Sequence, residues 1–131
     1  MLASADPWHC LRRSLTMTVI YHLAPADRWT TWPGDTPYVP AEFDTDGFVH
    51  CTAGDELMLQ VANTVYRDVP GDFVLLVIDV ALLASEVRWE RPAGPELAPL
   101  FPHIYGPIPA AAVVAVRVAQ RNGDGTFSAF A

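Results

Sequence analysis

The chain has 131 residues, of which 51% are apolar, and a formal net charge of −7 in which all eight cations are arginines. This length suits one domain with its own core, and the apolar content excludes a disordered chain. The acidic balance argues against a broad nucleic-acid or membrane surface, but one or two arginines suffice to hold a phosphate, so a small nucleotide ligand remains compatible with the composition.

The cysteine content and the first residues bear on the cellular setting. Cys10 and Cys51 do not make a disulfide framework, which favours a reducing, cytoplasmic setting. No stretch is long enough to span a membrane, and residues 1–16 are polar and lack the apolar region of a secretory signal. Met17 opens a β-branched segment. We therefore expect residues 1–16 to be an extension that the fold does not need, and residues 17–131 to form one domain.

The first half of the chain predicts two strands with a long loop between them. Residues 18–23 are β-branched and aromatic and predict a strand, and Pro25 predicts the start of a short helix. Residues 30–42 contain three prolines and a glycine and predict a loop. Its aromatic side chains, Tyr38 among them, either cover a ligand or seal the core. Residues 47–51 predict the second strand.

One main amphipathic helix is expected next. Leu57, Val61 and Val65 recur every four residues and predict a helix over about residues 54–67. Thr52 is the expected N-cap.

The second half predicts further strands. We expect strands at residues 73–80 (central and covered on both faces), 87–90, 104–105, 113–119 (buried) and 126–130 (at an edge). Residues 92–102 contain four prolines and predict irregular structure. Together these elements predict an α+β domain with more strand than helix and mixed or antiparallel sheets.

Three of the four histidines, His22, His50 and His103, follow an apolar residue where a predicted strand ends or turns. Neutral imidazole donates through one ring nitrogen and accepts through the other near physiological pH. If the three strands are neighbours, these histidines line one cleft. Two alternatives stay open: each imidazole is buried against a backbone carbonyl, or the three hold zinc or iron(II), although their spacing contains no local chelating pair.

Alternation along the second strand separates two kinds of side chain. Phe48 and His50 share one face of the strand, whereas Val49 and Cys51 share the other. His50 and Cys51 therefore do not form a nucleophile–base pair, and we expect Cys51 to pack in the core.

The third histidine segment adds a second polar group. His103 and Tyr105 are two residues apart, so they point the same way in an extended chain and can together hold a polar ligand. Gly106, which lies between Tyr105 and Pro107, permits a backbone conformation or a close approach that other residues resist. No dinucleotide-binding glycine fingerprint, phosphate-binding loop or zinc-protease motif is present.

The segments IYHLAP, DGFVHCT and FPHIYGPIP resemble, in that order, the signature of a bacterial family, domain-of-unknown-function family nine-five-two, over about residues 19–117. That family in turn resembles the ADP-ribosyltransferase superfamily, in particular the branch that includes the RNA 2′-phosphotransferases. The resemblance implies two facing sheets that form a cleft for NAD.

The same resemblance implies roles for individual residues. His22 would contact the ribose and amide of NAD, and His50 would lie near the nicotinamide ring. His103 and Tyr105 stand where the transferases use a glutamate to orient the acceptor. Tyr38, from the loop, is a further candidate for cofactor contact. NAD is thus the expected cofactor, and His22, His50, His103 and Tyr105 are the expected catalytic residues.

The lack of that glutamate keeps a second class open, a nucleotide-binding module without catalysis. The phosphotransferases also hold their phosphate with several arginines, for which this sequence offers Arg28, Arg67 and Arg88 as candidates. The acceptor and the oligomeric state do not follow from the sequence.

Overall fold

The computed structural model describes residues 17–92 and 99–131. Its elements in chain order are β1 (Val19–Pro25), α1 (Ala26–Thr31), α2 (Phe43–Asp46), β2 (Val49–His50), α3 (Asp55–Val65), β3 (Phe73–Asp79), β4 (Val87–Glu90), β5 (Phe101–Ile104), β6 (Val113–Arg121) and β7 (Phe127–Phe130), with short 3-10 turns at Val80–Leu82 and Ala110–Ala112.

Two antiparallel sheets make up the domain. The larger has the strand order β1-β3-β6-β7 and the smaller has the order β2-β5-β4, and every strand pair among the described residues is antiparallel. The expected α+β class is confirmed, and of the two expected sheet types the antiparallel one is present. Because α3 connects β2 and β3, which lie in different sheets, it is not a crossover between parallel neighbours.

The two sheets join where β1 meets the residues after β2. The backbones of Tyr21 and Thr52 exchange two hydrogen bonds, with N···O distances of 2.7 and 2.8 Å. Thr52 is therefore buried in this bridge and is not the N-cap of α3, which is Gly54. The backbone pairing between the sheets takes precedence over local capping preference.

Two core clusters lie on opposite faces of the larger sheet. One is formed by Ile20, Leu76 and Ile78 of that sheet with Val49 and Ile104 of the smaller sheet. The other lies under α3, where Met58 and Ala62 contact the opposite face of the larger sheet. The main helix is thus confirmed at its expected place, and the central position of β3 is confirmed as well.

The end of the proline-rich stretch belongs to β5, which begins three residues before the strand expected at residues 104–105. Pro102 lies within β5, the middle strand of the smaller sheet, although residues 92–102 were expected to be irregular. Its carbonyl accepts from Cys51 just beyond the end of β2. The nitrogen and oxygen of one residue face the same neighbouring strand in an antiparallel sheet. The nitrogen of Pro102, which carries no hydrogen, therefore faces Cys51, beyond the end of β2.

β6 is less covered than its composition suggests. Val114, Val116 and Val118 are 43–58% exposed, whereas this strand was expected to be buried. The expectation was wrong because Val116 and Val118, which lie opposite Leu76 and Val74 of β3, do not belong to the cluster that packs between the two sheets. The edge position expected for β7 itself is confirmed.

Gly106 has the close approach that its position indicated. A Cβ atom built on this glycine would overlap the Ser85 hydroxyl, so the turn after β5 passes directly over that side chain. Gly47 closes α2 in the left-handed region with φ of +82°, which turns the chain sharply into Phe48 and β2.

None of the helices in residues 17–92 and 99–131 is long and apolar enough to cross a membrane. Cys51 is a free, buried thiol, as expected. Cys10 and the rest of residues 1–16 lie outside the described residues, so the dispensability of the extension stays a prediction.

Candidate functional site

One face of the smaller sheet carries most of the polar side chains that the sequence singled out. His50 of β2 and Arg88 of β4 both lie opposite His103 of β5, and Glu90 lies opposite Phe101. Directly opposed residues point to the same face of a sheet. We call this surface, with His50, Arg88, Glu90, Phe101 and His103, the imidazole face.

Each of the two imidazoles on this face is hydrogen-bonded to a carboxylate. His50 Nε2 lies 2.9 Å from Asp46 Oδ2, and His103 Nδ1 lies 2.8 Å from Glu90 Oε1. An ionised carboxylate only accepts, so these nitrogens carry the protons. In the neutral imidazoles the lone pair is then on His50 Nδ1 and on His103 Nε2, and each can take a proton from a ligand.

Phe48 holds the two imidazoles in a compact aromatic cluster. Its ring stacks on His103 with 4.2 Å between centroids and lies 4.6 Å from His50, while the two imidazole centroids are 5.3 Å apart. The shared face expected for Phe48 and His50 is confirmed. The stacking limits the rotation of His103, whose side chain is only 11% exposed.

Glu90 also accepts from Tyr105, whose hydroxyl lies 2.6 Å from the same carboxylate oxygen. The hydrogen bonds from Tyr105 and then His103 lower the pKa of Glu90, and the Glu90 carboxylate in turn raises the pKa of Tyr105. Glu90 therefore stays ionised and Tyr105 stays protonated near neutral pH. The Arg88 guanidinium lies over the Tyr105 ring at 4.4 Å and forms an ion pair with Glu86.

A cleft of about 680 Å³ separates the imidazole face from α3. Its lining includes Phe48, His50, Thr52, Phe101 and His103 on the side of the smaller sheet, Leu57, Gln60, Val61, Thr64 and Val65 along α3, and Arg91, Pro92 and Pro99 in the segments next to β4 and β5. Leu57, Val61 and Val65, the repeat that predicted the helix, thus line this imidazole cleft, while Met58 and Ala62 turn to the core.

His22 lies on the other side of β2 from this cleft. It is 2% exposed, and its Nδ1 donates to the backbone carbonyl of His50 at 2.7 Å. Burial lowers the pKa of His22, so its imidazole is neutral. The structure therefore brings together His50, His103 and Tyr105, and connects His22 to them through the backbone of β2.

Tyr38 lies beside His22, with 6.1 Å between their ring centroids. It is 1% exposed, and the rings of Trp29 and Trp32 meet its face or edge at 5.4 and 5.1 Å. The aromatic side chains of the loop thus seal the core in this conformation. Tyr38 Oη and His22 Nε2 are buried and have no hydrogen-bond partner among the described residues.

The arginines proposed for phosphate binding occupy different places. Arg28 donates to the Val39 carbonyl and lies over Trp32, and Arg67 lies beyond the end of α3 near Gly125. Arg88 lies on the imidazole face, and Arg91 lines the cleft. Arg88 and Arg91 are therefore the arginines placed to meet an anionic ligand.

No group of three potential ligands among histidine, cysteine, aspartate and glutamate is placed to hold a metal ion within residues 17–92 and 99–131. His22, His50 and His103 do not converge, because His22 faces the core while the other two contact carboxylates. The alternative of a three-histidine metal centre is not formed by these residues.

The three signature segments meet in one place: the backbone of β1 bonds to the residues after β2, and β2 pairs with β5. The family model described as "Protein of unknown function (DUF952)" matches residues 23–116. The chain belongs to this family. The identification made from the three segments is therefore confirmed.

Solved structures agree with the fold. The crystal structure of protein CC0527 from Caulobacter crescentus is 26% identical, with a TM-score of 0.70 over 85% of this chain and 94% of that chain. Its solution NMR structure is 27% identical, with a TM-score of 0.63 over 83% and 90% of the two chains. Among curated proteins nothing matches. These comparisons place the DUF952 chain in a known fold.

Asp46 and Glu90 are the carboxylates that sequence reasoning did not pair with His50 and His103. Asp46 lies four residues before His50, and the turn of α2 with Gly47 brings them together. Glu90 and His103 are 13 residues apart and meet only because β4 and β5 pair. The one available signal in the sequence was the pair of charged residues in the VRWE strand, Arg88 and Glu90. Only the pairing of β4 with β5 shows which residue Glu90 contacts.

Proposed function

We propose that the protein is an enzyme that uses NAD as substrate in the imidazole cleft and transfers its ADP-ribosyl group to an acceptor. The observation that carries this proposal is His103, whose Nδ1–H is held by Glu90 so that Nε2 can serve as a base beside the cleft. The choice of NAD comes from the resemblance of the family signature to the ADP-ribosyltransferases.

Two unpartnered polar atoms lie outside the imidazole cleft. His22 Nε2 and Tyr38 Oη are buried and have no partner among the described residues, and buried polar groups without partners are costly and therefore uncommon. Because β2 separates them from the cleft, an NAD molecule whose ribose lies at His103 does not reach them in this conformation. The contacts that the family resemblance implies for His22 and Tyr38 are therefore not part of this proposal.

Residues at the cleft fit the planar ring and the phosphates of NAD. Phe48 and the two imidazoles offer flat faces to a planar ring, and Arg88 and Arg91 offer positive charge to the phosphates. Glu90, which is ionised, occupies the same hydrogen-bonded group as His103 and Tyr105. Glu90 thus supplies a carboxylate of the kind that the transferases use. The lack of such a group in the signature segments was the reason for considering a binding role without catalysis.

The chemistry divides between substrate and protein. NAD supplies an electrophilic ribose carbon, whose bond to nicotinamide breaks with the electron pair leaving on neutral nicotinamide. His103 Nε2 takes the proton from the acceptor hydroxyl as its oxygen bonds to that carbon. Glu90 stabilises the imidazolium that forms, and it holds the ring in the required tautomer.

A binding experiment tests the ligand separately from the reaction. Addition of NAD at up to millimolar concentration should shift the histidine ring resonances of the protein and raise its melting temperature by mass action. His50→Ala, at the cleft, should weaken both effects, whereas Leu82→Asn, at an exposed position outside the site, should not. Absence of binding in the unmodified protein would contradict the proposal.

The alternative is a nucleotide-binding module without catalysis. One observation favours it: no aspartate or glutamate is among the described residues that line the cleft, whereas the transferases use a glutamate to orient the acceptor. This alternative predicts NAD-dependent stabilisation without release of nicotinamide. Release that is lost in His103→Asn would exclude it.

A further inference from the structure

The helix wall of the imidazole cleft carries an apolar stripe beside two polar residues, Gln60 and Thr64. Leu57, Val61 and Val65 lie on consecutive turns of α3 and line the cleft over about 12 Å of helix. Val65 is 59% exposed. The helix contacts the core through Met58 and Ala62, and Val61 packs partly against the same cluster, so Leu57 and Val65 are the members of the stripe outside that cluster.

Phe101 and two prolines add further apolar surface to the cleft. Phe101 lies two residues from His103 on the same strand face, and Pro92 and Pro99 stand beside it. Among the described lining residues, Arg91 is the one lysine, arginine, aspartate or glutamate. The imidazoles and Thr52 thus form one polar part of the cleft, and apart from Gln60, Thr64 and Arg91 the rest of the described lining is apolar.

From this division we infer that the acceptor is an uncharged hydroxyl compound with an aromatic or branched aliphatic body, and not an anionic polynucleotide. The inference rests on the proposed function, since it names the acceptor class for the same site. The apolar body lies along Leu57, Val61 and Val65, and the hydroxyl reaches His103. A polyanion would have to lie against this apolar wall in a protein of net charge −7, which is unfavourable.

The transfer balances without any further reactant. The acceptor O–H bond breaks and its proton goes to His103 Nε2. The acceptor oxygen then bonds to the ribose carbon of NAD as the bond to nicotinamide breaks. Nicotinamide leaves neutral with the electron pair, and His103 returns its proton to solvent.

Binding of simple phenols tests the acceptor class without relying on turnover. Phenol, 4-ethylphenol and 4-butylphenol carry the same hydroxyl on a growing apolar body, and phenyl phosphate is the matched anion. Methyl NMR of the protein at rising probe concentrations should show shifts at Leu57, Val61 and Val65. Affinity should rise by up to about fourfold per added methylene, and phenyl phosphate should bind more weakly than phenol.

Two variants locate the binding. Val65→Asn should reduce affinity for 4-butylphenol severalfold, whereas Val118→Asn, which makes the same change at a position of nearly equal exposure on β6, should leave it unchanged. Equal affinity for all three phenols, stronger binding of phenyl phosphate, or an equal loss in both variants would overturn the inference.

Nicotinamide release separates this inference from the proposed function. If NAD is cleaved in water but 4-butylphenol neither binds along α3 nor accepts the ADP-ribosyl group, the acceptor class is wrong and the NAD proposal stands. If the phenols bind as described but no nicotinamide is released with any of them, the cleft accepts this class of ligand and the NAD reaction is wrong.

Discussion

The imidazole of His22 is enclosed by the core, whereas the side chain of His50 is half exposed. Burial is the main cause that lowers the pKa of His22, and the hydrogen bond to the His50 carbonyl opposes it. Because that carbonyl requires a proton on Nδ1, the neutral ring presents Nε2 as an acceptor. His22 is thus a neutral, oriented group near neutral pH.

This burial makes stability depend on pH. The unfolded chain binds a proton at His22 as the pH falls below about 6.5, while the folded protein does not until the pH falls further. The free energy of unfolding should therefore decrease between about pH 6.5 and pH 5. His22→Asn should show a shallower decrease in urea titrations over this range. Identical slopes in the two proteins would mean that His22 takes up its proton over the same pH range in the folded and the unfolded protein.

The unpartnered Tyr38 hydroxyl should cost stability in the absence of ligand. Tyr38→Phe removes a buried polar atom without partners and keeps the ring contacts with Trp29 and Trp32. We expect the free energy of unfolding to be unchanged or to increase by up to about 1 kcal/mol, and the melting temperature to change in the same direction. A clear loss of stability, measured by thermal unfolding, would indicate that the hydroxyl is hydrogen-bonded in the folded protein.

Comparison of His50 with Val77 separates the site from the core. His50→Ala removes a half-exposed imidazole and should cost about 0.5–1 kcal/mol, since its hydrogen bond to Asp46 is accessible to water. Val77→Ala opens space within β3 and should cost about 1–3 kcal/mol. NAD binding should show the opposite order. Unfolding of His50→Ala with undiminished affinity in the folded fraction would place His50 in the structural core.

The two ends of α3 are fixed by arginines from β6. Arg117 makes a two-point ion pair with Asp55 in the first turn, which lowers the pKa of Asp55. Arg121 donates to the carbonyls of Tyr66, Arg67 and Val69 just beyond the last turn. These contacts set the distance between α3 and the sheet beneath it. They thereby fix one wall of the imidazole cleft.

Loss of the Arg121 contacts should loosen α3. Arg121→Met keeps the apolar stem beside Phe127 but leaves several carbonyls without their donor, so we expect a loss of about 2–4 kcal/mol. Arg88→Met breaks only an exposed ion pair with Glu86 and should cost less than about 1 kcal/mol. Urea unfolding of both variants checks this order, and equal losses would contradict it.

At the level of elements, sequence patterns correctly predicted the helices and strands that depend on residues close in sequence. The period of four in α3 and the apolar run of β3 were sufficient to identify both elements. The same period did not reveal that Leu57, Val61 and Val65 face a cleft, because Met58 and Ala62 supply a second apolar face to the core. The start of β5 was predicted too late in the sequence, because the tolerance of Pro102 depends on where its neighbour β2 ends.

At the level of the whole molecule, the candidate site depends on contacts distant in sequence. The sequence identified His50, His103 and Tyr105, which the structure brings together through the pairing of β2 with β5. It did not identify Glu90 as the partner of His103 and Tyr105, since that contact exists only when β4 pairs with β5. It also gave no sign that β2 separates His22 from the cleft.

Nicotinamide release from NAD by the full chain, compared with His103→Asn and Glu90→Gln, tests the proposed function most directly. Asparagine keeps a donor near the position of Nδ1 but removes the base, so release should fall to the uncatalysed rate. Glutamine keeps the size of Glu90 but removes its charge, so release should fall by about 10–100-fold while the melting temperature changes little. Release at equal rates in all three proteins, or in none of them at saturating NAD, would contradict a catalytic role for the His103–Glu90 pair.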